Sequence, residues 1–154
     1  MIFDTDVLIW ASRGSEKAAR AIDAAPDRAL AIVSLMELLQ GARSKLEARQ
    51  IRQSLRQLQF RILPLSEAIG AAAVALIEQH ALAHGIQLAD ALIAATALES
   101  GLPLCTGNAK HFRPIRGLSR VAFRPYREGF RRLPTYFLGG GSRDDDAVRR
   151  DDRE

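Results

Sequence analysis

Apolar residues in this chain gather in short runs, and between the runs they recur at helical spacing. Met1-Ile2-Phe3 is an apolar run ending at Asp4 and reads as a first strand. Val7-Leu8-Ile9-Trp10-Ala11 reads as a first helix, entered through Thr5 or Asp6 as its cap. Ala29 to Val33 is a buried strand candidate. Ser34-Leu35-Met36-Glu37 then has the form of a capping box, opening a helix toward Ser44 or beyond. From Leu46 to Gln59, Ile51, Leu55 and Leu58 recur among Arg and Gln, which predicts an amphipathic helix. Phe60 to Leu65 is a short strand stopped by Pro64. An alanine-rich helix follows from Ser66 to about His84 with Gly85 as its stop, and another runs from Leu88 to Ser100 and stops at Gly101. Pro103 to Thr106 is a short buried strand followed by a Gly107-Asn108 turn, and Val121-Ala122-Phe123 is a candidate edge strand. Strands alternating with helices predict an α/β fold, a three-layer α/β/α sandwich around a mainly parallel sheet.

The pattern changes after about Tyr126. Gly139-Gly140-Gly141-Ser142 reads as a flexible linker, and Arg143 to Glu154 is almost wholly Asp, Arg and Glu, too polar to offset its ordering entropy. The chain therefore divides into a domain over residues 1–125 and an extension over 126–154, disordered from about residue 139. Phe130, Leu133, Tyr136, Phe137 and Leu138 are candidates to dock on the domain. At 154 residues and 47% hydrophobic, one core suffices. The single cysteine, Cys105, excludes an internal disulfide and any multi-cysteine metal site, and its apolar strand makes it a core residue. The start lacks a basic segment followed by an apolar run, and no stretch is long enough to span a bilayer. These features predict a soluble, cytoplasmic protein with no membrane partner. Net charge is +4, and the excess lies before residue 126, chiefly as arginine, which suits an anionic partner and equally suits ordinary solubilising charge.

The positions of the acids are more informative. Asp4 and Asp6 follow the first strand, Glu37 lies in the first turn of the helix after the second, and Asp90 lies near the start of a helix with no other charge through Leu98. Asn108 follows the Leu104-Cys105-Thr106 strand. In an open parallel sheet these ends share the edge where ligands bind. Each residue also has an ordinary explanation: capping for Glu37 and Asp90, cap chemistry for Thr5 and Asp6, a turn for Asn108. None of these explains why all the acids fall at one edge. Two carboxylates about 4 Å apart repel by roughly 4 kcal/mol at an effective dielectric near 20. Protons or a hard cation such as Mg²⁺ would offset that, and the chemistry that pattern suggests is phosphodiester hydrolysis.

Phe3-Asp4-Thr5-Asp6-Val7-Leu8-Ile9, Val33-Ser34-Leu35-Met36-Glu37-Leu38 with Gly41-Ala42-Arg43, and Leu88-Ala89-Asp90-Ala91-Leu92-Ile93-Ala94-Ala95-Thr96-Ala97 resemble the three acidic motifs of PIN domains. Thr106-Gly107-Asn108-Ala109-Lys110-His111-Phe112 is similar to the fourth. Order and spacing resemble the VapC toxins of toxin–antitoxin pairs over residues 1–125, down to Phe123-Arg124-Pro125. The resemblance implies that Asp4, Glu37 and Asp90 bind metal, with Asp4 and Asp90 the closest ligands. Asn108 would stand for a fourth acid or an equivalent asparagine. Thr5 and Thr106 would offer hydroxyls near the site, with Asp6 in support. It further implies an Mg²⁺-dependent endoribonuclease, with Mn²⁺ as a substitute, a homodimer, and a cognate antitoxin as partner. The extension after Pro125 has no counterpart in the resemblance.

Remaining features carry less. Arg13, Arg43, Lys110, Arg113 and Arg116 are candidate RNA phosphate contacts. His80, His84 and His111 pair with no nucleophile, and His80 with His84 reads as surface. Trp10 reads as core or dimer contact. No phosphate-cradling glycine loop occurs, which disfavours a nucleotide-driven motor. Two other readings stay open: a metal-dependent DNA nuclease, which would need an arch or DNA-binding module, and a catalytically inactive nucleic-acid or partner-binding module, which would be expected to have lost the acids.

Overall fold

A computed structural model of the protein describes residues 1–124. The extension, its linker at Gly139–Ser142 and the apolar residues from Phe130 to Leu138 lie outside the described residues, as does the boundary at residue 125.

Five strands, β1 (Ile2–Phe3), β2 (Ala29–Ala31), β3 (Arg61–Leu63), β4 (Leu104–Thr106) and β5 (Arg120–Ala122), form one sheet in the order β3-β2-β1-β4-β5. Every pair is parallel, with Ile2 opposite both Ala29 and Leu104 and Phe3 opposite Cys105. Strand alternation divides the core into two halves. Phe3, Leu30 and Cys105 face one layer, made by α1 (Thr5–Ser12), α2 (Glu16–Asp23), α3 (Ile32–Gln40) and α4 (Lys45–Gln57). Ile2, Ala29, Ala31 and Leu104 face the other, where α5 (Glu67–His84), α6 (Leu88–Ser100) and Phe112 of α7 (Ala109–Phe112) pack. The result is the three-layer α/β/α sandwich expected. Among the described residues, no helix is long and apolar enough to cross a membrane.

Helix ends decide where side chains point, and here three expectations are corrected. The cap of α1 is Asp4 rather than Thr5 or Asp6: Asp4 is extended, at φ −68° and ψ 155°, and its carboxylate accepts from Thr5 N. The strand therefore passes straight into the helix, and the acid itself is the joint. Helix α3 starts at Ile32, with Ala31 as a cap offering no side-chain bond, because β2 ends two residues sooner than the apolar run. Ser34 is therefore inside the helix, its hydroxyl buried without a partner, and the expected capping box does not form. The helix also stops at Gln40 rather than near Ser44, which instead caps α4 by accepting from Glu47 N. Gly85 and Gly101 end α5 and α6 at φ 67° and 65°, a conformation that suits glycine. Helices α2 and α7 had not been expected. Trp10 is 37% exposed and so is no core residue. His80 is half-buried and His84 exposed.

Candidate active site

Strand order reverses direction between β1 and β4, and the ends of these two strands open the crevice in which ligands of parallel sheets bind. Asp4 leaves β1 there, and Thr106 ends β4. The Thr106 hydroxyl donates to Asp4 Oδ2 at 2.6 Å, and Thr5 N donates to Oδ1 at 2.8 Å. Asp6, one residue into α1, accepts from Gly107 N through Oδ2 at 2.9 Å. That contact needs a glycine: a Cβ on residue 107 would sit 2.6 Å from Asp6 Oδ2. The other oxygen, Oδ1 of Asp6, is buried without a partner. Glu37, from α3, accepts from the Thr5 hydroxyl at 2.6 Å, so its carboxylate is engaged with the site and caps nothing.

Asp90 comes from the other layer. It lies in the first turn of α6, whose cap is Gln87, and it makes no capping bond. Its Oδ2 lies 2.8 Å from His111 Nδ1, which is also 2.8 Å from Asn108 Nδ2. One ring nitrogen cannot accept from the amide and donate to the carboxylate together, so proton placement decides which neighbour it holds. With Asp90 ionised, Nδ1–H donates to it. Asn108 is further tied down by its own N–H, which donates to the Thr106 hydroxyl at 2.9 Å. His111 is the residue the sequence reading missed. It lies one helical turn after Asn108, and that spacing was the available signal, but the helix is too short for periodicity to show.

Asp4 is the electrostatic centre. Burial pushes its pKa up to about 7, and the charges of Asp6 and Asp90 push it the same way, against the hydrogen bonds from Thr106 and Thr5. Burial raises Asp6 as well, with Asp90 adding to it. Burial, followed by the charges of Asp6 and Asp4, raises the Cys105 thiol to about 11, so it is inert at neutral pH. Among the described residues no three His, Cys, Asp or Glu side chains converge as a ready ligand cage. The donor set still fits a hard cation, because Mg²⁺ is held by one or two carboxylates and completes its shell with waters and phosphate. A mutually repelling group of buried Asp4 with half-buried Asp6 and Asp90, one Asp6 oxygen being orphaned, is the environment such a cation would relieve. Of the candidate phosphate contacts, Lys110 and Arg113 are exposed beside His111, and Arg116 is exposed after α7. Arg43 is exposed in the turn after α3, and Arg13 closes the far end of α1, about 13 Å along the helix axis from Asp4.

A parallel α/β sandwich with acids gathered at its switch point defines the class, and comparison supplies the family. The PIN domain profile matches residues 1–117. The chain belongs to the PIN-domain family, a family of nucleases. A chain of a toxin–antitoxin complex from Klebsiella pneumoniae is 32% identical, with a TM-score of 0.68, over 80% of this chain and 98% of that one. A chain of FitAcB from Neisseria gonorrhoeae is 27% identical, with a TM-score of 0.61, over 77% and 94%. VapBC2 from Rickettsia felis, bound to a DNA fragment from its promoter, shares the fold at 19% identity, with a TM-score of 0.66 over 80% and 99%. No curated protein matches the sequence.

Proposed function

We propose that the protein is a divalent-cation-dependent endoribonuclease, the toxin of a VapBC-like toxin–antitoxin pair. The observation that carries this reading is the buried Asp4 carboxylate, facing Asp6 and Asp90 where the strand order reverses. Asp4 and Asp90 would hold Mg²⁺, or Mn²⁺ in its place, with Glu37 at the outer side of the set. A cation so held supplies Lewis acidity toward the phosphodiester and lowers the pKa of water for in-line attack. The chain's own residues do the positioning. Thr106 and Thr5 N fix the two oxygens of Asp4, Thr5 fixes Glu37, Gly107 N fixes Asp6, and His111 fixes Asp90. Lys110 and Arg113 stand where an incoming phosphate backbone would meet positive charge, with Arg43 and Arg13 further out. The chain's likeness to a protein of a toxin–antitoxin complex supports an antitoxin as partner. A homodimer working in the cytoplasm completes the reading.

The test is cleavage of single-stranded RNA by purified protein with Mg²⁺ or Mn²⁺. Cleavage should stop with EDTA, and Asp4→Asn or Asp90→Asn should lower the rate at least a hundredfold with the circular dichroism unchanged. Cleavage of DNA alone would move the assignment to a DNA nuclease. Binding of RNA without cleavage under every metal condition would leave a catalytically inactive binding module.

A further inference from the structure

Helix α4 carries a charged face that the proposed site does not use. Lys45, Arg49, Arg52 and Arg56 follow one another at steps of four, three and four residues, and all are exposed. At 100° per residue they fall within about 60° of one another around the axis, and at 1.5 Å per residue they span about 16 Å. The opposite side buries Ile51, Ser54 and Leu55. The one acid of the helix does not compensate the stripe. Glu47 turns its carboxylate back to accept from Arg43 N at 2.7 Å, while Ser44 Oγ accepts from Glu47 N at 3.1 Å. None of the four cations is ion-paired among the described residues. Their mutual repulsion in the free protein is relieved by a polyanion lying along them.

Topology relates the stripe to the cleft. Helix α4 delivers the chain to the start of β3, at the sheet edge opposite the acids, so Arg56 lies on that side. Lys45 lies at the other end of the helix, after α3, which carries Glu37. The exposed neighbours of the four cations toward the C-terminal half are Gln53 and Gln57, with no aromatic side chain for a base to stack on. Evenly spaced cations without stacking platforms suit phosphates rather than bases.

We infer that this face of α4 binds the sugar-phosphate backbone of RNA flanking the cleaved bond, independently of sequence. The inference rests on the proposed ribonuclease activity. It extends the substrate from the few nucleotides that a cleft can hold to a longer strand running down one side of the molecule.

The experiment measures binding of a labelled uridine oligonucleotide of about twenty nucleotides to full-length protein carrying Asp4→Asn, by fluorescence anisotropy. It compares the stripe intact with Lys45→Gln, Arg49→Gln, Arg52→Gln and Arg56→Gln combined. Single-stranded binding changes with salt by roughly 0.7 log units per cation engaged, so the combined variant should show a slope shallower by about 3. Between about 50 and 200 mM salt, the parent should therefore lose about 50-fold more affinity than the variant. Arg49→Lys, Arg52→Lys and Arg56→Lys together should keep the parental slope. With Asp4 restored, the glutamine variant should cleave a trinucleotide as the wild type does, while its KM for the long strand rises. An unchanged slope with helix content intact overturns the inference, as does an unchanged slope with lost binding to an acidic protein partner. If the wild type cleaves neither substrate, the ribonuclease reading itself has failed. If both proteins cleave the trinucleotide alike and the slope does not move, only the role of α4 has failed.

Discussion

Asp4 has three functions at once: strand end, helix cap and centre of the acidic group. Its pKa is near 3.8 when the chain is unfolded and about 7 when folded. The folded state therefore holds the proton more tightly. This group favours folding below pH 4, and its contribution is lost as pH rises from about 4 to 7, by about 4 kcal/mol as an upper bound. Asp4→Asn should then stabilise the metal-free protein at pH 8 while abolishing cleavage, and the gain should shrink toward pH 4. Thermal unfolding in EDTA across that range checks this; a variant less stable at pH 8 would show that the charge is already compensated. Millimolar Mn²⁺ at pH 8 should raise the wild-type Tm and leave the variant unmoved. In the proposed site His111 would act as a positioning residue, through its contact with Asp90. His111→Ala should weaken Mn²⁺ affinity roughly tenfold or more, the usual consequence of losing a partner behind a ligand. His111→Asn, whose amide can place an N–H near the lost Nδ1, should recover most of it, whereas His111→Gln, reaching one atom further, should not. Equal calorimetric affinities in all four proteins would remove His111 from the site. The sequence showed the acids but not their attachments, since hydrogen bonds such as Thr5 to Glu37 join residues that no local pattern relates.

At the scale of elements, the long periodic helices were legible and the joints were not. Helix α6 spans Leu88–Ser100 as expected, because Gly101 and an apolar run leave few alternatives. Helix α2 was missed because its buried side is only Ala18 and Ile22, too little for a period to register, although Ser15 caps it by accepting from Ala18 N. The start of α3 was misplaced because Ser34 and Glu37 satisfy a capping pattern that tertiary structure overrides. That error has a measurable counterpart. A buried hydroxyl without a partner costs about 1–3 kcal/mol, and alanine is the better helix former. Ser34→Ala should therefore stabilise the fold by about 1 kcal/mol in urea denaturation without changing the m-value. A loss of stability would mean that the hydroxyl has a partner in solution. The glycine at residue 107 was read as a turn residue; its actual necessity, the approach of Asp6 to its backbone, depends on a side chain 101 positions away.

For the whole molecule, alternation of strand and helix was enough to place the acids at one edge, and so to expect the site before any distance was known. What it could not give is strand order. Placing β1 at the centre, between β2 and β4, sets the first strand beside the fourth, and the Thr106–Asp4 bond joins residues 102 apart. This separation has a consequence in time. A ribosome adding about 5–20 residues per second makes Asp4 roughly 5 to 20 s before the residue that fixes its second oxygen. Until β4 has emerged, β1 has only one neighbour, Asp6 lacks the backbone of Gly107, and Asp90 lacks His111. A nascent chain bearing all three acids is thus still unassembled. The proposed activity would be withheld from the machinery making it until β4 and α7 have emerged, and the proposed partner, translated alongside, would have that interval in which to arrive.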